Sequence, residues 1–190
     1  MLEKKAGIGY IQITQFEQVT DKQFSVALAD LKKQGMKSVI FDVRDNPGGL
    51  YDVVCNILDE LLPEGTLVYT MDKDGKKVEQ TSDAKSVNIP IVVLQNENSA
   101  SASEIFAGAI QDFGAGKIVG TQSFGKGIVQ SILPLSDGSA VKLTVEKYYT
   151  PKGVNIHGKG ITPDVVIEAG EDEKKDLQLE KAVETIKKMK

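Results

Sequence analysis

Ser38-Val39-Ile40-Phe41-Asp42-Val43, running straight into Arg44-Asp45-Asn46-Pro47-Gly48-Gly49, is the stretch on which the fold turns. Its apolar residues follow one another almost without a polar interruption, which is the pattern of a strand covered on both faces rather than on one. The Asn-Pro-Gly-Gly turn then breaks the chain. A helical pattern follows from about Leu50 to Leu62 and is ended by Pro63-Glu64-Gly65. Upstream, residues 8–14 alternate as a strand, and Thr20-Asp21 is expected to cap a helix reaching Gln34-Gly35, with Phe24, Ala27, Leu28 and Leu31 at helical spacing. Repeated strand-helix-strand units predict a single α/β domain.

Downstream, the polar stretch Met71 to Ser86, centred on Asp74-Gly75, predicts a hairpin followed by a loop. Ile89-Pro90-Ile91-Val92-Val93-Leu94 is a second buried strand, and a small-residue helix from about Ser101 to Phe113 follows it. Short strands are expected at Lys117–Gly120, Gly127–Leu133, Ala140–Val145, Lys147–Thr150 and Asp164–Ile167, and a C-terminal helix over residues 174–189 carries Leu177, Leu179, Ala182, Val183 and Ile186 on one face.

With 190 residues, 41% of them hydrophobic and 26% charged, the chain is long enough for one substantial core, which excludes disorder as the overall state. A net charge of -4 and the absence of a basic cluster argue against a nucleic-acid surface. No apolar run approaches 18 residues, and Met1-Leu2-Glu3-Lys4-Lys5 lacks the hydrophobic stretch of a signal peptide, so a soluble domain is expected. The single cysteine, Cys55, sits in an apolar helical pattern and is expected to be a small core residue.

The chemistry concentrates at two places. Asn98-Ser99-Ala100-Ser101-Ala102-Ser103-Glu104 puts serines at a strand-to-helix edge, where first-turn N–H groups and the helix dipole favour developing negative charge. The Ser101…Glu104 spacing is also that of a capping box. A serine hydroxyl is a poor nucleophile near neutral pH, and with one histidine in the chain its base has to be sought elsewhere. Lys126, in Ser123-Phe124-Gly125-Lys126-Gly127, qualifies if it is kept neutral, which requires a pKa lowered by about three units, about 4 kcal/mol. Phe124, Ile128 and Val129 are expected to supply that burial, and Gln130 a neutral amide that orients the amine without raising its pKa. The Asn46–Gly49 turn also lies between a buried strand and a helix, so the N–H groups of Gly48 and Ala102 are expected to form an oxyanion hole for an acyl-transfer intermediate. Residue chemistry alone leaves Ser99, Ser101 and Ser103 all open as the nucleophile.

Several other patterns point away from function. Gly120–Lys126 fits a phosphate-loop spacing, but Gly127 stands where Ser or Thr binds magnesium, and the following residues are strand-like. His157 has no second histidine or cysteine at metal-ligand spacing and is expected to make a structural polar contact. Asp42 and Asp45 bracket Arg44, which favours local pairing or turn capping over paired-carboxylate catalysis. No metal or organic cofactor is implied.

Taken together, Ile8–Ile11, Asp42–Gly49, Ser99–Glu104, Gly120-Thr121 with Phe124–Gly127 and Gln130, Tyr148–Pro151, and Gly158–Ile161 with Pro163-Asp164 resemble the C-terminal processing peptidases. These tail-specific serine proteases use a Ser-Lys dyad. The resemblance covers about residues 8–166 and implies a crotonase-like α/β fold, a spiral of β-units flanked by helices, with residues 1–190 forming one catalytic core. It places the nucleophile on Ser101, the general base on Lys126, the lysine-supporting glutamine on Gln130 and the oxyanion-hole amides on Gly48 and Ala102. It further implies an endopeptidase acting through an acyl-enzyme on a protein substrate with an unstructured, rather apolar C-terminal tail. An extracytoplasmic location, in the cell envelope or periplasm, is implied as well, and self-association into a homo-oligomer stays open. Family members usually carry a PDZ domain before this core, and none is expected within these residues. Asp45 stands where the family often has Asn, and Val154 where Arg is common. The alternatives are a proteolytically silent binding module that needs a PDZ domain, or a crotonase-type acyl-CoA hydratase or hydrolase.

Overall fold

The computed structural model describes residues 1–2, 7–170 and 175–189. The chain runs β1 (Ile8–Gln12), α1 (Thr20–Lys33), β2 (Ser38–Asp42), α2 (Tyr51–Leu61), β3 (Gly65–Asp72), β4 (Lys77–Ser82), β5 (Ile91–Gln95), α3 (Ala102–Asp112), β6 (Gly116–Gly120), β7 (Ile128–Pro134), β8 (Ala140–Tyr149), β9 (Val165–Val166) and α4 (Leu177–Lys188). A parallel sheet has the order β1-β2-β5-β6-β9, and an antiparallel sheet the order β4-β3-β8-β7.

The continuous apolar runs in β2 and β5 are explained by what lies on each side of the parallel sheet. Val39 and Phe41 of β2, with Ile91 and Val93 of β5, join a core with α1, α2 and α3. The alternate residues Ile40, Val92 and Leu94 face the other way and are sealed with Ala182 and Ile186 of α4. The larger core is centred on Phe41, whose ring lies 5.4 Å from Phe24 and 5.6 Å, edge-on, from Phe106. Each such fully buried side chain contributes about 1.5–3 kcal/mol of transfer free energy. Cys55 is buried in α2 and its thiol is pushed up to about 12 by burial, as befits a core residue.

Local expectations hold with four adjustments. Thr20 does not cap α1; it is the first helical residue, and its hydroxyl accepts from Glu17 N–H and donates to the Gln15 carbonyl. The hairpin around Asp74-Gly75 has a longer first arm than expected, because Leu67 and Val68 anchor β3 in the core from Gly65 onward. The two strands expected around Glu146 are one, β8, since Glu146 itself pairs with both Asp72 and Val129. The last strand shrinks to Val165–Val166. Residue 174 of the expected C-terminal helix lies outside the described residues; the helix itself spans Leu177–Lys188.

Arg44, just past β2, clasps α4 to the sheet. Its guanidinium lies 2.6 Å from Asp42 and 2.8 Å from Asp176, the N-cap of α4, and it also donates to Gln178. Hydrogen bonding from Arg44 holds the Asp176 carboxyl below the usual carboxylate range. A carboxylate with a depressed native pKa contributes stability that is present above its unfolded value and is lost as pH falls through the folded one. Asp176→Asn is therefore expected to lower Tm by about 2–4 °C at neutral pH. It should also make the loss of stability below about pH 4 shallower. Melting curves of both proteins across that range check it; superimposable acid limbs would contradict the clasp.

Candidate active site

Two turns meet at the carboxyl ends of the neighbouring parallel strands β2 and β5, where open α/β sheets form their binding crevices. The first runs from Val43 to Leu50, the second from Asn96 to Ser101. Asn46, fully buried, ties them together: its Nδ2 donates to the Ile13 carbonyl, and its own carbonyl accepts from Ala100 N–H and Ser103 Oγ, each at 3.0 Å. Gly48 then approaches the serine turn so closely that a Cβ would sit 2.9 Å from Ser101 Cβ and 3.0 Å from Ala102 N. Its φ of 102° is in the left-handed range as well, so the position admits glycine only. Gly48, Ser101 and Ala102 are thus brought together as expected.

The three serines are separated by their surroundings. Ser99 Oγ donates to the Val43 carbonyl at 2.7 Å, and Ser103 Oγ donates to the Asn46 carbonyl; both residues are buried, with their hydroxyls committed to holding the turns. Ser101 is half-buried at the N-cap of α3, with φ 56° and ψ -113°. A residue carrying a Cβ reaches that backbone region at a cost of about 1–3 kcal/mol, and such strain collects at functional sites.

Glu104 holds the strained turn. The sequence marks it as a capping-box acid, and its carboxylate does reach back to Ser101 N–H, at 2.8 Å. It also does something the spacing alone does not reveal. Fully buried, it accepts Lys126 N–H on the same oxygen at 2.8 Å, and Ser123 Oγ and Gly125 N–H on the other at 2.6 Å each. The amides of Ser101 and Lys126 therefore lie within two hydrogen-bond lengths of each other, across a single carboxylate oxygen. Ser123 Oγ also accepts from Ile161 N–H, which extends the anchoring to the Gly158–Ile161 loop.

The expectation that apolar neighbours bury Lys126 is corrected. Its side chain is exposed, Phe124 is 66% exposed, and Gln130 is exposed too. The reason is topological: β7 is an edge strand of the antiparallel sheet, and the loop before it is pinned inward by backbone amides, not by the lysine. Among the described residues, no hydrogen bond joins Lys126 Nζ or the Gln130 side chain to Ser101. Of the two expected oxyanion donors, Ala102 N–H is a first-turn amide with no acceptor among the described residues. Gly48 N–H instead donates to Asn46 Oδ1 at 2.8 Å, an interaction that has to loosen or fork before an oxyanion can use it.

The remaining candidates resolve into structural roles. Asp42 accepts from Tyr10 and Arg44, and Asp45 from the amides of Asn96 and Asn98. The His157 ring is exposed; its backbone N–H, not its imidazole, makes the polar contact, to Asn155 Oδ1. The loop at 120–126 passes from β6 into β7 with no helix behind it, so it lacks the helix N-terminus of a phosphate loop.

Residues 7–167 match the model of Peptidase family S41. The chain is 44% identical over 162 residues to a carboxyl-terminal-processing protease of Synechocystis, covering 85% of this chain and 38% of the relative. It is also 44% identical over 169 residues to a carboxy-terminal-processing protease of Bartonella bacilliformis, covering 85% of this chain and 39% of that one. Among solved structures, a photosystem II D1 C-terminal processing protease superposes with a TM-score of 0.81 at 39% identity, over 85% of this chain and 42% of that chain. The chain thus spans about two fifths of the length of these relatives. A turn strained around one half-buried serine, its tie through a buried acid to the lysine loop, and similarity over nearly the whole motif-bearing region agree: the chain belongs to peptidase family S41.

Proposed function

We propose that this chain is the catalytic core of a serine endopeptidase that cleaves proteins near unstructured, apolar C-terminal tails by a Ser-Lys dyad. The observation that carries it is the Glu104 carboxylate, which holds the backbones of Ser101 and Lys126 on one oxygen while leaving the Ser101 side chain at the crevice. In the reaction, Lys126 Nζ takes the proton from Ser101 Oγ as the oxygen attacks the peptide carbonyl. The Ala102 N–H, joined by that of Gly48 once Asn46 releases it, carries the oxyanion. The lysine returns its proton to the leaving amine, and water, deprotonated in the same way, hydrolyses the acyl-enzyme.

The exposed amine has to be desolvated before it accepts a proton at neutral pH, and a bound peptide closing over the Lys126 loop supplies that, with Gln130 directing the nitrogen. The layered parallel sheet and antiparallel hairpins support the finer assignment to a crotonase-like spiral forming one core over residues 1–190, with no PDZ domain within it. A location outside the cytoplasm belongs to the same proposal. A crotonase-type acyl-CoA hydratase or hydrolase, by contrast, relies on carboxylates, and Asp42 and Asp45 are already engaged. The exposure of Lys126 and the occupied Gly48 N–H favour a second state, a silent core that the remainder of a longer protein or its substrate switches on.

The test is the rate of Ser101 labelling by a fluorophosphonate across about pH 5–10, with and without an unstructured apolar peptide. Labelling that climbs through a single ionisation, displaced to lower pH by the peptide, is the expected result. A folded protein that is never labelled under either condition would overturn the catalytic assignment.

A further inference from the structure

The last residue of β5, Gln95, is fully buried and stands immediately before the turn that carries Ser101. Both hydrogens of its side-chain nitrogen are used: Nε2 donates to the Thr121 carbonyl at 2.9 Å and to the Ile161 carbonyl at 2.7 Å. The two carbonyls fix the orientation of the amide, since reversing it would set oxygen against oxygen. Oε1 is buried as well and has no hydrogen-bond partner among the described residues. An unpaired buried acceptor costs stability, and an apolar side chain of the same length would fill the position without that cost. What such a side chain would lack is the pair of donors.

Those donors reach two segments that bear on the lysine. Thr121 opens the loop that carries Lys126, and its N–H returns to the Gln95 carbonyl at 3.3 Å. Ile161 ends the Gly158–Ile161 loop, and its N–H is held by Ser123 Oγ, which in turn donates to Glu104. Glu104, in the first turn of α3, therefore grips the later part of the lysine loop, and Gln95, at the end of β5, grips its beginning. The two residues flank the Ser101 turn in the chain. We infer that Gln95 is a positioning residue for the reaction: acting through Thr121 and Ile161, it sets where the Lys126 loop stands relative to Ser101. The inference rests on the peptidase assignment above and extends it to a buried residue that touches neither substrate nor reacting atoms.

Two substitutions in the full chain test this. Gln95→Met removes both donors at nearly equal length, and Gln95→Glu keeps the shape but turns carboxylate oxygens toward the two carbonyls. Amide hydrogen exchange needs no turnover: the N–H groups of Ser123, Gly125 and Lys126 should exchange at least about tenfold faster in Gln95→Met, the scale of one lost hydrogen bond, and faster still in Gln95→Glu. A side chain that merely fills space predicts wild-type exchange in Gln95→Met. On an unstructured apolar peptide, Gln95→Met should lower kcat by about 10–100-fold with KM nearly unchanged, because a small displacement of base from nucleophile acts on the chemical step. The midpoint of Ser101 labelling against pH, measured with peptide present, should move upward as the loosened loop leaves the Lys126 amine more hydrated. Gln95→Leu, a second apolar replacement, gives the same readouts if Gln95→Met does not fold. Unchanged exchange in a folded apolar variant would overturn the anchor. Faster exchange with wild-type kcat and an unmoved pH profile would overturn the positioning role. Faster exchange alongside wild-type protein that neither cuts nor labels would instead sink the peptidase assignment and keep Gln95 as the anchor of the loop.

Discussion

Ser101→Ala is expected to lower cleavage of an unstructured apolar substrate by at least about 10⁴-fold, the scale seen when a serine nucleophile is removed and only binding and oxyanion stabilisation remain. Lys126→Ala should fall as far, because nucleophile and base act as one unit, and the double variant should lose little beyond either single change. Lys126→Arg should not rescue, since a guanidinium does not deprotonate in proteins. All three substitutions leave the fold in place: Lys126 is exposed and only its backbone N–H is bonded to Glu104, while the alanine at Ser101 keeps the backbone donor that Glu104 uses. Wild-type melting temperatures with no cleavage would therefore locate the loss in chemistry. Equal cleavage by wild type, Ser101→Ala and Lys126→Ala would remove the dyad.

Glu104→Ala is expected to be the most damaging single change to both stability and function. It orphans four buried or half-buried donors, from Ser101, Ser123, Gly125 and Lys126, and opens a cavity beneath α3. Unpaired buried polar groups cost about 1–3 kcal/mol each before relaxation. Because the two loops can partly resolvate, a net loss of about 3–5 kcal/mol is expected. At about 2–4 °C per kcal/mol for a chain of this size, Tm should fall by about 6–20 °C. Glu104→Gln keeps the volume but turns an amide N–H₂ toward donors, so it should retain more stability yet still release the Ser101 turn from its strained backbone. Fluorophosphonate labelling separates the roles: a folded Glu104→Gln protein that labels as fast as wild type would show that the acid merely supports the fold.

Much of the fold was legible because period and punctuation are local properties. The two nearly continuous apolar runs at Ser38–Val43 and Ile89–Leu94 announce strands buried on both sides, and the structure supplies the reason, helices α1 to α3 on one face and α4 on the other. The first arm of the hairpin was missed because Gly65 and Thr66, just past a helix-ending Pro-Glu-Gly, look like more loop until Leu67 and Val68 are seen in the core. A charged residue at Glu146 resembles a break in β8, whereas its backbone stays in the ladder between two pairing partners, Asp72 and Val129, with the residue itself half-buried.

At the site, the chain's own order of residues determined which chemistries were available: serines at a strand-to-helix edge, a lysine between glycines, a glycine turn after a buried strand, and one histidine too isolated to serve as base or metal ligand. It left three serines equivalent, and it suggested a sheltered lysine. The resemblance pointed to Ser101, and the tertiary structure separates the three by spending the Ser99 and Ser103 hydroxyls on distant carbonyls; it alone revealed Glu104 as the joint between the Ser101 turn and the Lys126 loop. It also put Lys126 in solvent at a sheet edge. Spacing along a chain encodes which groups lie near one another within a turn or strand, whereas hydrogen-bond partners and solvation depend on which remote segments the fold packs against them.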